Sequence, residues 1–519
     1  VSKSLTITSF IVDLTAATLA EVTAVTTLTN DSTPDYTFSS SEAGTITYGG
    51  SCSSSTTSAT TDNNTITLIS LSDGTYSNCT IIVTDSAGNS VTRNISSFVI
   101  DTTAPTVSSI SPTDNQTGVS ISSNISVTFS EAMDNTSVTT NTDNTSCSGT
   151  LGVSSDNFNT CVQMSSSPSN SNSDKTFTLD PSAYLSYSTT YKTRVTTGVK
   201  DAAGNALSSQ YETSNGFTAP ESLDSILETI RNQYDLPAIG GLVLQGDAIL
   251  ASGMEGLRKM GTSISVTIED LFVIGSCTKA MTATLLGVLV EKGELQWQTT
   301  LEEAFPNLAS EMHETYKNVT LEQLLRHRGG VTGSLSTDYP DIWSELWQKK
   351  SDPIMGVRSW FTEQILSMEP DGEVGTYLYS NSSYMIVGAA MELVVGESWE
   401  SLMREHIFDP LGMSSCGFGA PDTTGNVEQP WGHTGSTPKN SDNPPALGPA
   451  GTVHCSLEGW SKFIAIHLSG SRGTPRLLSA DSFQKMHDPS GSNYALGWSI
   501  RQRTWAGGTS LSHYGSNTW

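Results

Sequence analysis

The sequence predicts a multidomain chain: two all-β sandwiches followed by a larger α/β (α+β) domain with an antiparallel sheet and a helical subdomain. Three observations predict it. The first 218 residues are rich in Ser, Thr, Asn and Gly and break into short β-prone runs between turn clusters. After Ala219-Pro220 the composition shifts and apolar residues take up helical spacing. Helical patterns then dominate from Ser276 to Met413, with strand signals before them near Gly241 and after them near Tyr494.

Residues 1–104 alternate runs such as Thr80-Ile81-Ile82-Val83 with turns such as Asp85-Ser86-Ala87-Gly88-Asn89, the pattern of a sandwich. Residues 105–218 repeat it, ending in a second turn of the same kind, Asp201-Ala202-Ala203-Gly204-Asn205. Both modules resemble bacterial immunoglobulin-like domains, the second through Thr128-Phe129-Ser130-Glu131-Ala132-Met133-Asp134 and the junction through Asp101-Thr102-Thr103-Ala104-Pro105. That resemblance implies a spacer or adhesive stalk that contacts surface glycans or proteins. Cys52 with Cys79, and Cys147 with Cys161, fall as one pair in each module. They read as two disulfides in an oxidising compartment, against the alternative of four reduced, buried thiols.

A net charge of -27 over 519 residues argues against nucleic acid and anionic membrane as partners. No stretch is apolar for long enough to cross a bilayer, and no signal peptide is visible. The first residue, Val1, is not Met, so the start is expected to lie upstream. An extracellular or cell-envelope location in a bacterium follows as an expectation.

In the third domain, residues 221–519, Leu223, Ile226, Leu227, Ile230 and Tyr234 mark an amphipathic helix with Ser222 as its cap. The run Gly241 to Leu250 reads as two strands joined by Gly246-Asp247. The segment Ser276 to Lys292 reads as a buried helix ended by Gly293. Its first residues, Ser276-Cys277-Thr278-Lys279, put a hydroxyl and an amine three residues apart, on one face. Burial disfavours the ammonium, so the lysine pKa is expected to fall towards the range useful for proton transfer. A second Ser-x-x-Lys, Ser436 to Lys439, lies in a Pro-rich run and contains Pro438; it reads as a loop.

Tyr379-Ser380-Asn381 and His513-Tyr514-Gly515 follow Ser276 in order. With Leu324 to Gly330, Pro410-Leu411-Gly412-Met413 and Pro449-Ala450-Gly451, these elements resemble the serine β-lactamase and penicillin-recognising hydrolase family, in particular its class C β-lactamase, D-aminopeptidase and family VIII esterase branches. The resemblance implies Ser276 as nucleophile, Lys279 as its activator and Tyr379 as proton shuttle, made phenolate by a nearby cation such as Lys279. Asn381 would hold the substrate amide and Lys279. His513, where many relatives carry Lys, would position a substrate carboxylate or assist the tyrosine. Substrate would bind along Gly515 and Ser516, and the backbone N–H groups of Ser276 and Ser516 would form an oxyanion hole. Relatives continue beyond the point where this chain stops, at Trp519, so the domain is expected to be C-terminally truncated.

Tyr76-Ser77-Asn78 and His433-Thr434-Gly435 repeat parts of these motifs but read as turn and loop chemistry. Trp297, Trp343, Trp347, Trp360 and Trp431 read as core or rim packing, with Trp431 in a loop able to line a pocket. The absence of a Gly-x-Ser-x-Gly elbow sets aside a competing hydrolase design, and because Cys277, Cys416 and Cys455 lack metal-site spacing and there is no His-Glu-x-x-His run, no metal is implied; no cofactor is expected. The expected function is a secreted serine hydrolase that forms an acyl-enzyme with an ester, D-amino-acid peptide or β-lactam carbonyl. The expected partner is a small molecule or peptide, with cell-wall fragments among the candidates. The alternative is a non-catalytic adhesion protein that uses the same domain to recognise peptidoglycan.

Overall fold

The computed structural model describes residues 11–422, 425–470 and 472–517. The chain divides into two units, Val1–Ala219 and Pro220–Trp519. Expectations that rest on Val1 and Trp519 lie outside the described residues.

The first unit holds two antiparallel sandwiches. In the first, Asp35–Ser40 runs between Leu19–Thr23 and Asp62–Thr67, and a second sheet contains Gly44–Gly49, Thr80–Thr84 and Ser90–Asn94. Period-2 alternation sends Tyr36, Phe38, Ile66, Ile81 and Val83 into one core. In the second sandwich, Ile125–Phe129 lies between Val107–Ser111 and Thr176–Leu179, with Leu151–Ser154 and Thr190–Val195 in another sheet. Each sandwich is cross-linked, Cys52 to Cys79 and Cys147 to Cys161. Asp85 accepts the N–H groups of Ala87 and Asn89, and Asp201 those of Ala203, Gly204 and Asn205, so the repeated turn has one physical basis.

The second unit is built on helices α1 (Asp224–Tyr234), α2 (Thr278–Glu291), α3 (Ile354–Leu366), α4 (Asn381–Val395) and α5 (Leu457–Gly470). Its longer strands are β1 (Ala238–Gln245), β2 (Ala248–Gly256), β3 (Ser499–Arg503) and β4 (Gly508–Ser512). β1 and β2 pair antiparallel across Gly246-Asp247, with Gly246 at φ +61 supplying the turn. The cap of α1 is Leu223; Ser222 sits one residue earlier, where its hydroxyl still accepts the N–H of Asp224. Adjacent residues of β1 face opposite ways: Gly241 lies against Leu223 and Leu227 of the α1 side, Gly240 against Leu457 of α5.

The strand signals at the two ends of the domain belong to two separate sheets. Among the described residues no backbone ladder joins the β1–β2 hairpin to the β3–β4 hairpin. The second hairpin is held instead by side chains, with Trp498 and Ile500 in the helical core and Leu511 packed on it.

α2 and α4 are apolar on nearly every face and sit in that core. Beside them lies the segment from Pro445–Leu447 to Gly448–Gly451. It is tied down by the fully buried Arg358 of α3, which donates to the carbonyls of Ala446 (3.0 Å) and Pro445 (3.3 Å) and pairs with Glu392 and Glu400. Thr282 of α2 donates to Pro449 O at 2.7 Å.

A third disulfide, Cys416–Cys455, was not foreseen from spacing. Pairing of Gly417–Phe418 with Val453–Cys455 brings together two thiols 39 residues apart. No described helix is long and apolar enough to cross a membrane.

Candidate active site

Three segments converge on Ser276. A short 3-10 turn, Gly275–Cys277, leads into α2 and places Ser276 at the start of the helix, with Lys279 fully buried one turn on. The second segment precedes α4. Ser380 caps that helix by accepting the N–H of Ser383 at 3.0 Å, donates its hydroxyl to Thr332 O at 2.6 Å, and donates its own N–H to His327 Nδ1 at 3.0 Å. Those bonds fix Tyr379 on one side of Ser380 and Asn381 on the other. The third segment is the turn at Gly448–Gly451.

Lys279 Nζ lies 3.0 Å from Ser276 Oγ, 2.7 Å from Asn381 Oδ1 and 2.7 Å from Ala450 O. Two of these partners are carbonyl oxygens, which only accept. A neutral amine has two hydrogens, and both are taken by Asn381 and Ala450, leaving the lone pair for the hydroxyl of Ser276. Burial lowers the Lys279 pKa to about 7, so this amine form is populated near neutrality.

The Tyr379 hydroxyl faces the Ser276 side chain, whose influence favours its ionised form, and Lys279 Nζ lies 5.0 Å from the Tyr379 ring centre. Burial raises the Tyr379 pKa to about 12, so it rests as a phenol, not the phenolate expected from the sequence. Its ring packs against that of His327, tilted by 41° with 4.3 Å between centres. Because His327 Nδ1 accepts from Ser380, its proton is on Nε2, which is buried among Tyr384 and Tyr494 without a hydrogen-bond partner.

Gly275 and Gly515 bring the Ile274–Gly275 backbone against that of Gly515 and Ser516. A Cβ at Gly275, which has φ +53, would meet Ser516 N at 2.6 Å, and one at Gly515 would overlap Ile274 O. The backbones of Ser276 and Ser516 therefore share one wall of a cavity of about 620 Å3 that also includes Asn381, Trp343 and Trp347.

His513 is arranged differently. Its Nδ1 lies 2.8 Å from Tyr514 O, so Nδ1 donates, and Nε2 accepts from the Tyr494 hydroxyl at 3.0 Å. Both nitrogens are engaged within the protein, and the ring lines a neighbouring cavity with Trp460 and Trp498. Burial holds its pKa at about 4, so it is neutral.

The repeated motifs lie elsewhere. Ser436 sits in an exposed hairpin, not a loop: Thr437–Lys439 pairs with Gly432–Thr434, because Pro438 lies on a two-stranded edge that needs no N–H from it. His433 Nε2 accepts from Met260 N at 3.0 Å, and the Tyr76 hydroxyl donates to Ser72 O. The sequence reading missed three contributors: Ala450, whose role belongs to its carbonyl, and Trp343 and Trp347, whose position at the serine no spacing announces. Carboxylates spaced to hold a cation occur only in the first unit among the described residues, as Asp13, Glu42 and Asp85 and as Asp101, Glu131 and Asp201.

The sequence profile of the Beta-lactamase family matches residues 223–519, more than half of the chain, and two profiles described as Bacterial Ig-like domain match 6–102 and 101–219. Penicillin-binding protein 4 of Amycolatopsis lactamdurans is 26% identical over 295 residues, 55% of this chain and 73% of that protein. An unguisins hydrolase of Aspergillus campestris is 25% identical over 55% of this chain and 56% of its own length. A Beta-lactamase of Escherichia coli is 26% identical over 40% of this chain and 51% of its own. The chain thus spans about half the length of the latter two. Among solved structures, the D-amino acid amidase of Ochrobactrum anthropi is 20% identical over 57% of this chain and 83% of that one, with a TM-score of 0.45.

Proposed function

The chain belongs to the beta-lactamase family, and from that premise we propose that it is a serine hydrolase that turns over an ester, amide or lactam through an acyl-enzyme on Ser276. The observation that carries this reading is the arrangement around Lys279, whose two obligate carbonyl acceptors aim the neutral amine at the Ser276 hydroxyl. Lys279 takes the hydroxyl proton as Ser276 Oγ bonds to the carbonyl carbon. The resulting oxyanion is met by the N–H groups of Ser276 and Ser516, the first at a helix start where the backbone dipole favours negative charge. Tyr379, a phenol in contact with Ser276, passes a proton to the leaving group as the carbon–heteroatom bond breaks. Asn381 orients both Lys279 and the substrate amide, and Gly515 allows the close approach on which the oxyanion wall depends. Tyr379, left as a phenolate beside the Lys279 ammonium, takes a proton from water as that water attacks the acyl carbon, and Lys279 returns its proton to Ser276 Oγ as the acyl–oxygen bond breaks.

Three disulfides support an extracellular or cell-envelope setting, with the immunoglobulin-like modules as a stalk. We take the domain boundaries at 104, 218 and 221, a reading supported by matched spans of 6–102, 101–219 and 223–519.

The test is covalent labelling. A fluorophosphonate or penicillin probe should add one adduct to the intact chain, mapped to Ser276 by mass spectrometry and absent in Ser276→Ala. Saturable binding of peptidoglycan fragments without acylation would instead favour a non-catalytic recogniser.

A further inference from the structure

The cavity beside Ser276 contains no charged side chain among its described lining residues. Its apolar surface comes from Leu335, Leu447, Trp343 and Trp347. The two tryptophans stand one turn apart on the helix Pro340–Gln348, both half-buried, with rings edge to face at 6.4 Å between centres. Such a pair offers large apolar contact area fixed by few rotatable bonds. The polar remainder is amide and hydroxyl, supplied by residues such as Asn381 and Asn443.

A carboxylate placed here would find no free cation among the described lining residues. The amine hydrogens of Lys279 are directed at Asn381 and Ala450, and its remaining position at Ser276. His513, expected from sequence to meet a carboxylate, has both nitrogens bonded to Tyr494 and Tyr514. Lys439 lines a separate cavity. Asn517, itself at the wall, donates to the buried carboxylate of Asp442, which adds negative charge behind the surface. The net charge of -27 works in the same direction at long range. An anion drawn partly out of water with no cation to meet it is costly, whereas a neutral amide is satisfied by amides and hydroxyls.

Resting on the reading of this cavity as the active site, we infer that it selects an electrically neutral ester or amide carrying an aromatic or branched apolar group, and rejects one with a free carboxylate beside the reacting carbonyl. The preference is written in the walls and holds whether or not turnover occurs.

The experiment is calorimetric titration of the full chain carrying Ser276→Ala, near pH 7.5, with N-phenylacetylglycinamide, N-phenylacetylglycine and N-acetylglycinamide. The phenylacetyl amide is expected to bind at least tenfold more tightly than the carboxylate and at least tenfold more tightly than the acetyl amide. Adding Trp343→Ala should remove the advantage of the ring, and Trp343→Phe should keep most of it, which separates a lost contact from a lost fold. Carboxylate binding equal to or tighter than the amide, no gain from the ring, or no detectable binding of the phenylacetyl amide would overturn the inference. Since Ser276→Ala cannot be acylated, failure here leaves the hydrolase reading standing, and failure of Ser276 labelling leaves this preference standing.

Discussion

At Lys279 the number of amine hydrogens decides which form can activate Ser276. Asn381 Oδ1 and Ala450 O can only accept, so only the neutral amine has a lone pair left for Ser276. Changing Asn381 to Asp keeps the shape but puts a carboxylate against the amine. That stabilises the ammonium, raises the Lys279 pKa, and should move the midpoint of the acylation pH profile to higher pH, by about one unit or more. A profile unmoved in Asn381→Asp would show that Lys279 does not set the pH dependence. The Ser276–Lys279 spacing and the order of Tyr379 and Asn381 were legible in the sequence because side chains three apart on a helix must share a face. His513 was legible only as a residue type: the sequence could not show that Tyr494 and Tyr514 would occupy both its nitrogens. Nor could it show a backbone acceptor at Ala450, since a carbonyl carries no residue signature.

Among elements, the segment 445–451 has little regular structure of its own and depends on α3. Arg358 binds the carbonyls of Pro445 and Ala446 and balances Glu392 and Glu400, all remote in sequence. Replacing Arg358 with Ala would leave two largely buried carboxylates without their cation. Chemical denaturation should report a loss of roughly 3–5 kcal/mol, with slower acylation because Ala450 O is no longer held against Lys279. Stability within 1 kcal/mol of the parent would contradict the role assigned to the cluster. Helical periodicity announced α2, and the apolar run behind Asn381 announced α4. The Cys416–Cys455 link depended on a strand pairing between segments too short to show a pattern.

For the whole molecule, the cysteines give a check on both units at once. Seven cysteines form three disulfides and leave Cys277, which is buried and whose pKa burial raises to about 11. Thiol titration of the native chain should therefore find almost none, denaturation without reductant should reveal one, and denaturation with reductant seven. Three thiols on denaturation alone would mean that one bridge is absent. Reduction should also lower the unfolding temperature, each closed loop being worth roughly 2–4 kcal/mol. The sandwiches were readable from alternation and turn chemistry because exposed β modules repeat one rule. The separation of the second unit's longer strands into two hairpins was not, since pairing between distant strands is decided by packing around Trp498 and Ile500.

The most direct measurement of the central claim is the rate at which an uncharged fluorophosphonate acquires Ser276, followed by intact-mass spectrometry from pH 5 to 9. An amine base with pKa about 7 is protonated and idle in acid, so the rate should climb about tenfold per pH unit below neutrality and level off above it. A rate independent of pH across that range, or an adduct on any other residue, would contradict the account.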